Sequence, residues 1–112
     1  MTYSDYRRYH RYQVFATAVL TTKSLGRSKL LSTQVNNISQ AGLGVYSTRP
    51  IMHSTKVMVE LSFMSDDGGE EKELIEGSVA SLVKEQDHYF VGIAFNNIIP
   101  HESFMKMIKQ EY

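Results

Sequence analysis

In the stretch KVMVELSF, residues 56 to 63, Val57, Val59, Leu61 and Phe63 alternate with Lys56, Met58, Glu60 and Ser62. An extended chain sends successive side chains to opposite faces, so this alternation describes a sheet with one dry face and one wet face. The pattern recurs along the chain. Val14 to Leu20 is rich in β-branched and aromatic residues, Leu31, Thr33 and Val35 alternate, and Leu43 and Val45 continue after a polar turn, NNISQAG. Beyond the Asp-Gly cluster SDDGGEE, Ile75, Gly77, Val79, Ser81 and Val83 alternate again, and after KEQDH so do Tyr89, Val91, Ile93 and Phe95. These are six strands of similar length separated by turns, with no helix long enough to cross between parallel neighbours. Short antiparallel strands must hide their edges, so the predicted fold is all-β, a six-stranded antiparallel barrel.

The C-terminal end follows another rule. Pro100 suits the first position of a helix, and Phe104, Met107, Ile108 and Tyr112 follow at three- and four-residue spacing. Residues 100 to 112 are predicted to form one amphipathic helix whose apolar stripe caps the barrel core. The 112 residues then read as a single domain, with an N-terminal arm at 1–12, the barrel at 13–95 and the helix at 100–112. The chain has no cysteine, which excludes disulfides, thiolate metal sites and cysteine nucleophiles. No apolar segment is long enough for a bilayer or a secretory signal, so a cytoplasmic protein without membrane insertion is expected.

A formal net charge of zero conceals an asymmetry. Arg7, Arg8, Arg11, Lys23, Arg27 and Lys29 face a single Asp5 in the first 30 residues, whereas residues 66 to 87 are strongly acidic. The split disfavours coating of a nucleic acid polymer, which needs a broad basic surface, and permits a local anion site near the N-terminus. The acidic run is expected to be a solvated hairpin loop. Enzymatic readings find no support. His10, His53, His88 and His101 are scattered, and no metalloprotease pair, nucleophile elbow or phosphate-cradling glycine loop occurs. Neither a metal nor a catalytic residue is expected.

Two segments remain. YSDYRRYHRYQVF carries three arginines and four tyrosines but few aliphatic residues, as a mobile arm would. Arginine offers a planar fork that matches phosphate oxygens and the O6/N7 edge of guanine, and a flat face that stacks on purines. In NNISQAG, residues 36 to 42, Asn37, Ser39 and Gly42 are placed to line one turn.

Arg7-x-x-x-Arg11 ahead of the first strand, followed some two dozen residues later by Asn37-x-Ser39-x-x-Gly42, resembles the two-part signature of PilZ domains, bacterial receptors for cyclic di-GMP. The second half of that signature is D/N-x-S-x-x-G. The resemblance runs along nearly the whole chain, through a six-stranded barrel, a VGIAF-like last strand and a closing helix. It implies that Arg7 and Arg11 contact guanine and phosphate with Arg8 as an auxiliary cation. It also implies that Asn37 and Ser39 meet the other guanine or the ribose-phosphate, and that Gly42 allows a close backbone approach. Tyr6, before the first arginine, implies one bound ligand rather than a stacked pair.

The expected ligand is cyclic di-GMP, with no further cofactor. The arm is expected to fold across the barrel when the ligand arrives and to signal to an unidentified effector protein, the chain itself acting as a monomer. Two other readings stand beside this one. A PilZ-like adaptor would bind proteins and no nucleotide. A small nucleic-acid-binding barrel would use the arm as a stacking platform, although the strands lack the aromatics interspersed with Lys and Arg that such platforms carry.

Overall fold

The computed structural model describes residues 9–24, 27–64 and 67–108. Its strands follow the alternation of the sequence: Tyr12–Gln13 (β1), Thr17–Ser24 (β2), Arg27–Ile38 (β3), Gly42–Ser47 (β4), Lys56–Met64 (β5), Glu70–Glu85 (β6) and His88–Phe95 (β7). One helix, His101–Ile108 (α1), comes last. All pairings are antiparallel, and the order β3-β2-β5-β6-β7-β4 closes on itself because β4 also pairs with β3. The result is the expected six-stranded barrel, with the two-residue β1 as an extra strand beside β3. Closure leaves the barrel strands without a free edge.

The core is the inward half of each alternation. Val57, Val59, Leu61 and Phe63 of β5 all face inward, and Leu20, Val45, Val59 and Val91 are wholly excluded from solvent. Full burial of such side chains is worth about 1.5–3 kcal/mol each, so the interior supplies the main driving force for closure. Phe104, Met107 and Ile108 of α1 are buried against the same core. This is the capping role expected of the apolar stripe, carried by the described part of the helix; residues 109–112, and with them Tyr112, lie outside the described residues. At the β5–β6 reversal Gly68 has φ +90°, a conformation that glycine adopts without steric cost, and Asp67 Oδ1 accepts a hydrogen bond from the Gly69 amide at 3.0 Å.

Several segments differ from the pattern reading. The first strand, expected to be continuous from Val14 to Leu20, is interrupted: β1 pairs Gln13 with Asn37, β2 pairs Thr17 with Gln34, and Val14–Ala16 bridges the gap. NNISQAG is not all turn. Asn36, Asn37 and Ile38 complete β3, Ile38 is core, Gly42 opens β4, and only Ser39–Ala41 reverses the chain. The acidic residues Glu70, Glu71, Glu73, Glu76 and Glu85 belong to β6 rather than to a loop, on exposed positions; their solvation is as expected but their conformation is not. Asp66 lies outside the described residues.

Two bulges matter most. On β3, Val35 pairs with Val45 and Asn37 with Gly44, so Asn36 is the extra residue. On β6, Val79 pairs with Ile93 and Ser81 with Gly92, so Ala80 is the extra residue. A bulge shifts the inside-outside alternation by one, which is why Asn37 and Ser81 point outward while Val35, Ile38 and Val79 point in. The uninterrupted alternation expected from Ile75 to Val83 fails at this point.

Candidate functional site

The outward aim of Asn37 decides the geometry of the site. Gln13 pairs with Asn37 across β1 and β3, so both occupy the outer face, and Arg11, two residues before Gln13, lies on the same side. From there Arg11 Nη1 donates a hydrogen bond of 2.7 Å to Asn37 Oδ1. Tyr12, with the opposite parity, turns inward and its ring stands 5.7 Å from that of Phe104 on α1. The helix thus holds the strand residue next to Arg11, and His10 also packs edge-on against Tyr12 at 4.6 Å. Arg11 is exposed, so most of its five donors still face solvent.

Ser39 and Gly42 lie beneath this pair and have other partners. Ser39 is only 3% exposed. Its hydroxyl accepts from the Ala41 amide at 3.1 Å and points at the Gly42 carbonyl at 3.4 Å, while its amide donates to Gly42 O at 2.8 Å. These bonds close the turn on itself. The turn is then tied to the end of the barrel: Gln40 Nε2 donates to Ile99 O and the Ile99 amide to Gln40 O, both at 2.8 Å, and the Phe95 amide donates to Ala41 O at 2.8 Å. A Cβ built on Gly42 would stand 2.3 Å from the carbonyl oxygen of Ile93. A close approach that excludes a side chain at Gly42 is therefore made by β7 itself.

The structure accordingly brings Arg11 and Asn37 together and makes Ser39 and Gly42 the builders of the turn that supports them. Arg7 and Arg8, with Tyr6, lie outside the described residues. The Arg11–Asn37 pair sits on an open outer face. A groove of about 410 Å³ lined by Gln13, Val14, Phe15, Gln34, Asn36 and Tyr46 runs beside it.

Pattern reading missed what lies next to Asn37 on that face. Asn37, Gly44, Gly92 and Ser81 form one cross-strand row over β3, β4, β7 and β6. The ring of Phe90, two residues before Gly92 on β7, reaches diagonally over Gly44 and braces against Tyr46 at 5.3 Å. Tyr46 is met in turn, edge-on at 5.3 Å, by His88. The only sequence signal was the pair of glycines in AGLGVY and VGIAF, whose register no alternation rule fixes. At the start of β7, His88 lies 3.0 Å from Asp87 Oδ1 and 3.1 Å from Glu85 Oε1. The hydrogen bond to Asp87 and then the one to Glu85 hold the imidazole above the ordinary histidine pKa, and the same contact lowers that of Asp87. Among the described residues no three His, Asp or Glu side chains are grouped to hold a metal ion, and no helix is long and apolar enough to cross a membrane.

Comparison with known proteins bears on the same elements. No protein of curated function matches the sequence. Among solved structures, the Bacillus subtilis inhibitor of motility MotI/DgrA superposes with a TM-score of 0.72 at 11% identity, over 92% of this chain and 48% of that one. The chain thus spans about half the length of the B. subtilis protein. The PilZ domain of YcgR from Escherichia coli, solved with c-di-GMP, superposes with a TM-score of 0.66 at 15% identity, over 94% of this chain and 91% of that one. At such identities the likeness is one of fold. The sequence itself matches the family model of the PilZ domain over residues 5–110. With that match covering nearly the whole barrel and helix, the chain belongs to the PilZ domain family.

Proposed function

We propose that the chain is a receptor for cyclic di-GMP, gripped between Arg7, Arg8 and Arg11 of the N-terminal segment and the Asn37–Gly42 bend, and that binding orders this segment to create a surface for an effector protein. The observation that carries the reading is the 2.7 Å hydrogen bond from Arg11 to Asn37, which joins residues 26 positions apart into one constellation. Its chemistry suits the ligand. A guanidinium fork matches a phosphate or the O6/N7 edge of guanine, and a carboxamide offers a donor and an acceptor to a base edge. Ser39 and Gly42 contribute by fixing the turn from which Asn37 projects. The c-di-GMP in the YcgR PilZ domain supports the choice of ligand.

An open face also explains why a second element is needed. A dianionic dinucleotide on the exterior of a barrel gains little enclosure from the barrel alone, so the N-terminal segment must supply it. Ordering that segment costs conformational entropy, which charge-assisted bonds from its arginines offset. Calorimetric titration with cyclic di-GMP, GTP and a single-stranded oligonucleotide tests the receptor directly. Heat with cyclic di-GMP alone is expected; no heat with any of the three would favour the protein adaptor, and preference for the oligonucleotide the nucleic-acid barrel. Amide hydrogen exchange across residues 1–13 tests the ordering step. It should slow on saturation with the ligand, and unchanged exchange would remove the switch while leaving the receptor.

A further inference from the structure

We infer that Phe90 is a base-stacking platform of the nucleotide site, the surface on which one guanine of the ligand lies while Arg11 and Asn37 meet its edge and its phosphate. The inference rests on the receptor reading above and adds a residue outside both halves of the motif. A Cβ built on Gly44 would stand 2.6 Å from Phe90 Cζ and 3.2 Å from both Phe90 Cε1 and Asn37 Nδ2. The tip of the ring and the amide of Asn37 therefore meet above the same glycine. Any side chain at Gly44 would push one of them away.

The ring is also held in place. Gly44 leaves room for it to lie low across β4, and Tyr46 braces it at 5.3 Å with the ring planes tilted by 59°. Phe90 is of intermediate burial and projects from the outer face of the barrel, the face that also carries Arg11 and Asn37. An aromatic surface immobilised before the ligand arrives contributes stacking with little further loss of side-chain entropy. Guanine has a large π-face and a polar edge, and here a fixed aromatic ring lies beside donors that suit that edge. Without a ligand, the same ring could serve merely to cover the glycine, as aromatic side chains do in sheets. The two roles separate in their response to substitution.

Phe90→Leu keeps apolar bulk over Gly44 and removes the π-face, while Phe90→Trp enlarges that face. Because the chain has no tryptophan, Phe90→Trp also introduces the sole indole reporter. Calorimetry should find cyclic di-GMP bound about ten-fold more weakly by Phe90→Leu, with a melting midpoint close to that of the unmodified chain. Phe90→Trp should retain affinity, and its fluorescence should be quenched as the ligand saturates. Unaltered affinity in Phe90→Leu, or an indole signal indifferent to saturating ligand, would overturn the stacking role and leave the receptor intact. Failure of the unmodified chain to bind cyclic di-GMP would overturn both.

Discussion

Arg11→Ala should weaken the binding of cyclic di-GMP by more than ten-fold while leaving the fold unchanged. The guanidinium is exposed and its described contact is a single hydrogen bond to Asn37, so its removal opens no cavity in the core. What it removes is a charge-assisted, geometrically matched contact to an anion, worth on the order of 1.5–3 kcal/mol, or about ten- to a hundred-fold in affinity. Arg11→Lys should fall between the two, because an ammonium keeps the charge but not the planar fork. Lys84→Ala gives the comparison. Lys84 is a cation on β6, paired with Tyr89 in the acidic half of the chain and far in register from Asn37. Its loss should leave calorimetric affinity unchanged. Equal losses from Arg11→Ala and Lys84→Ala would mean that the protein attracts the ligand by nonspecific charge alone.

The largest effect on stability is expected from Phe104→Ala. This side chain is 2% exposed, plugs the end of the barrel from α1 and supports the ring of Tyr12. Truncating a buried phenylalanine costs about 3–5 kcal/mol, in part because the rigid strands around it cannot collapse into the space. For a domain of this size that should lower the melting midpoint by roughly 10 °C or more, measurable by circular dichroism. A second consequence follows from the same contact. Tyr12 is the residue after Arg11, so loosening its packing frees the arginine from its place beside Asn37. At temperatures where the variant remains folded, cyclic di-GMP should still bind less tightly than to the unmodified chain. A variant with the original melting midpoint would contradict the capping role assigned to α1.

Barrel and helix were legible because their signals are local and periodic. In β5 every second residue is apolar and every one of these is buried, so alternation alone assigned the inner face. The three- and four-residue spacing of Phe104, Met107 and Ile108 did the same for α1. What escaped detection breaks the period. The extra residues Asn36 and Ala80 each invert the alternation within a strand, and nothing in the residue types at those positions announces a bulge. They fall at opposite ends of one row, so both affect the candidate site: one turns Asn37 outward, the other Ser81.

The site itself was legible only in part. Pairing Arg11 with Asn37 requires chain closure over 26 residues, which the motif resemblance suggested and the outer-face register of β1 and β3 makes possible. The burial of Ser39 and the collision that a Cβ at Gly42 would make with Ile93 O were hidden, because the first depends on the β7–α1 connection tied to the turn and the second on the pairing of β4 with β7. Phe90 was hidden for a related reason. Its ring leans across a neighbouring strand, and sequence spacing within β7 carries no information about what β4 leaves vacant.

The most direct measurement of the central claim is a map of backbone amide chemical shifts during titration of the full chain with cyclic di-GMP. Convergence of the arginine segment with the Asn37 bend predicts the largest changes at Arg11, at Asn37 through Gly42, and at Gly44 on the outer face of the barrel, all saturating together. Changes centred on the opposite wall, around β5 and the acidic stretch of β6, with Arg11 and Asn37 unmoved, would contradict it.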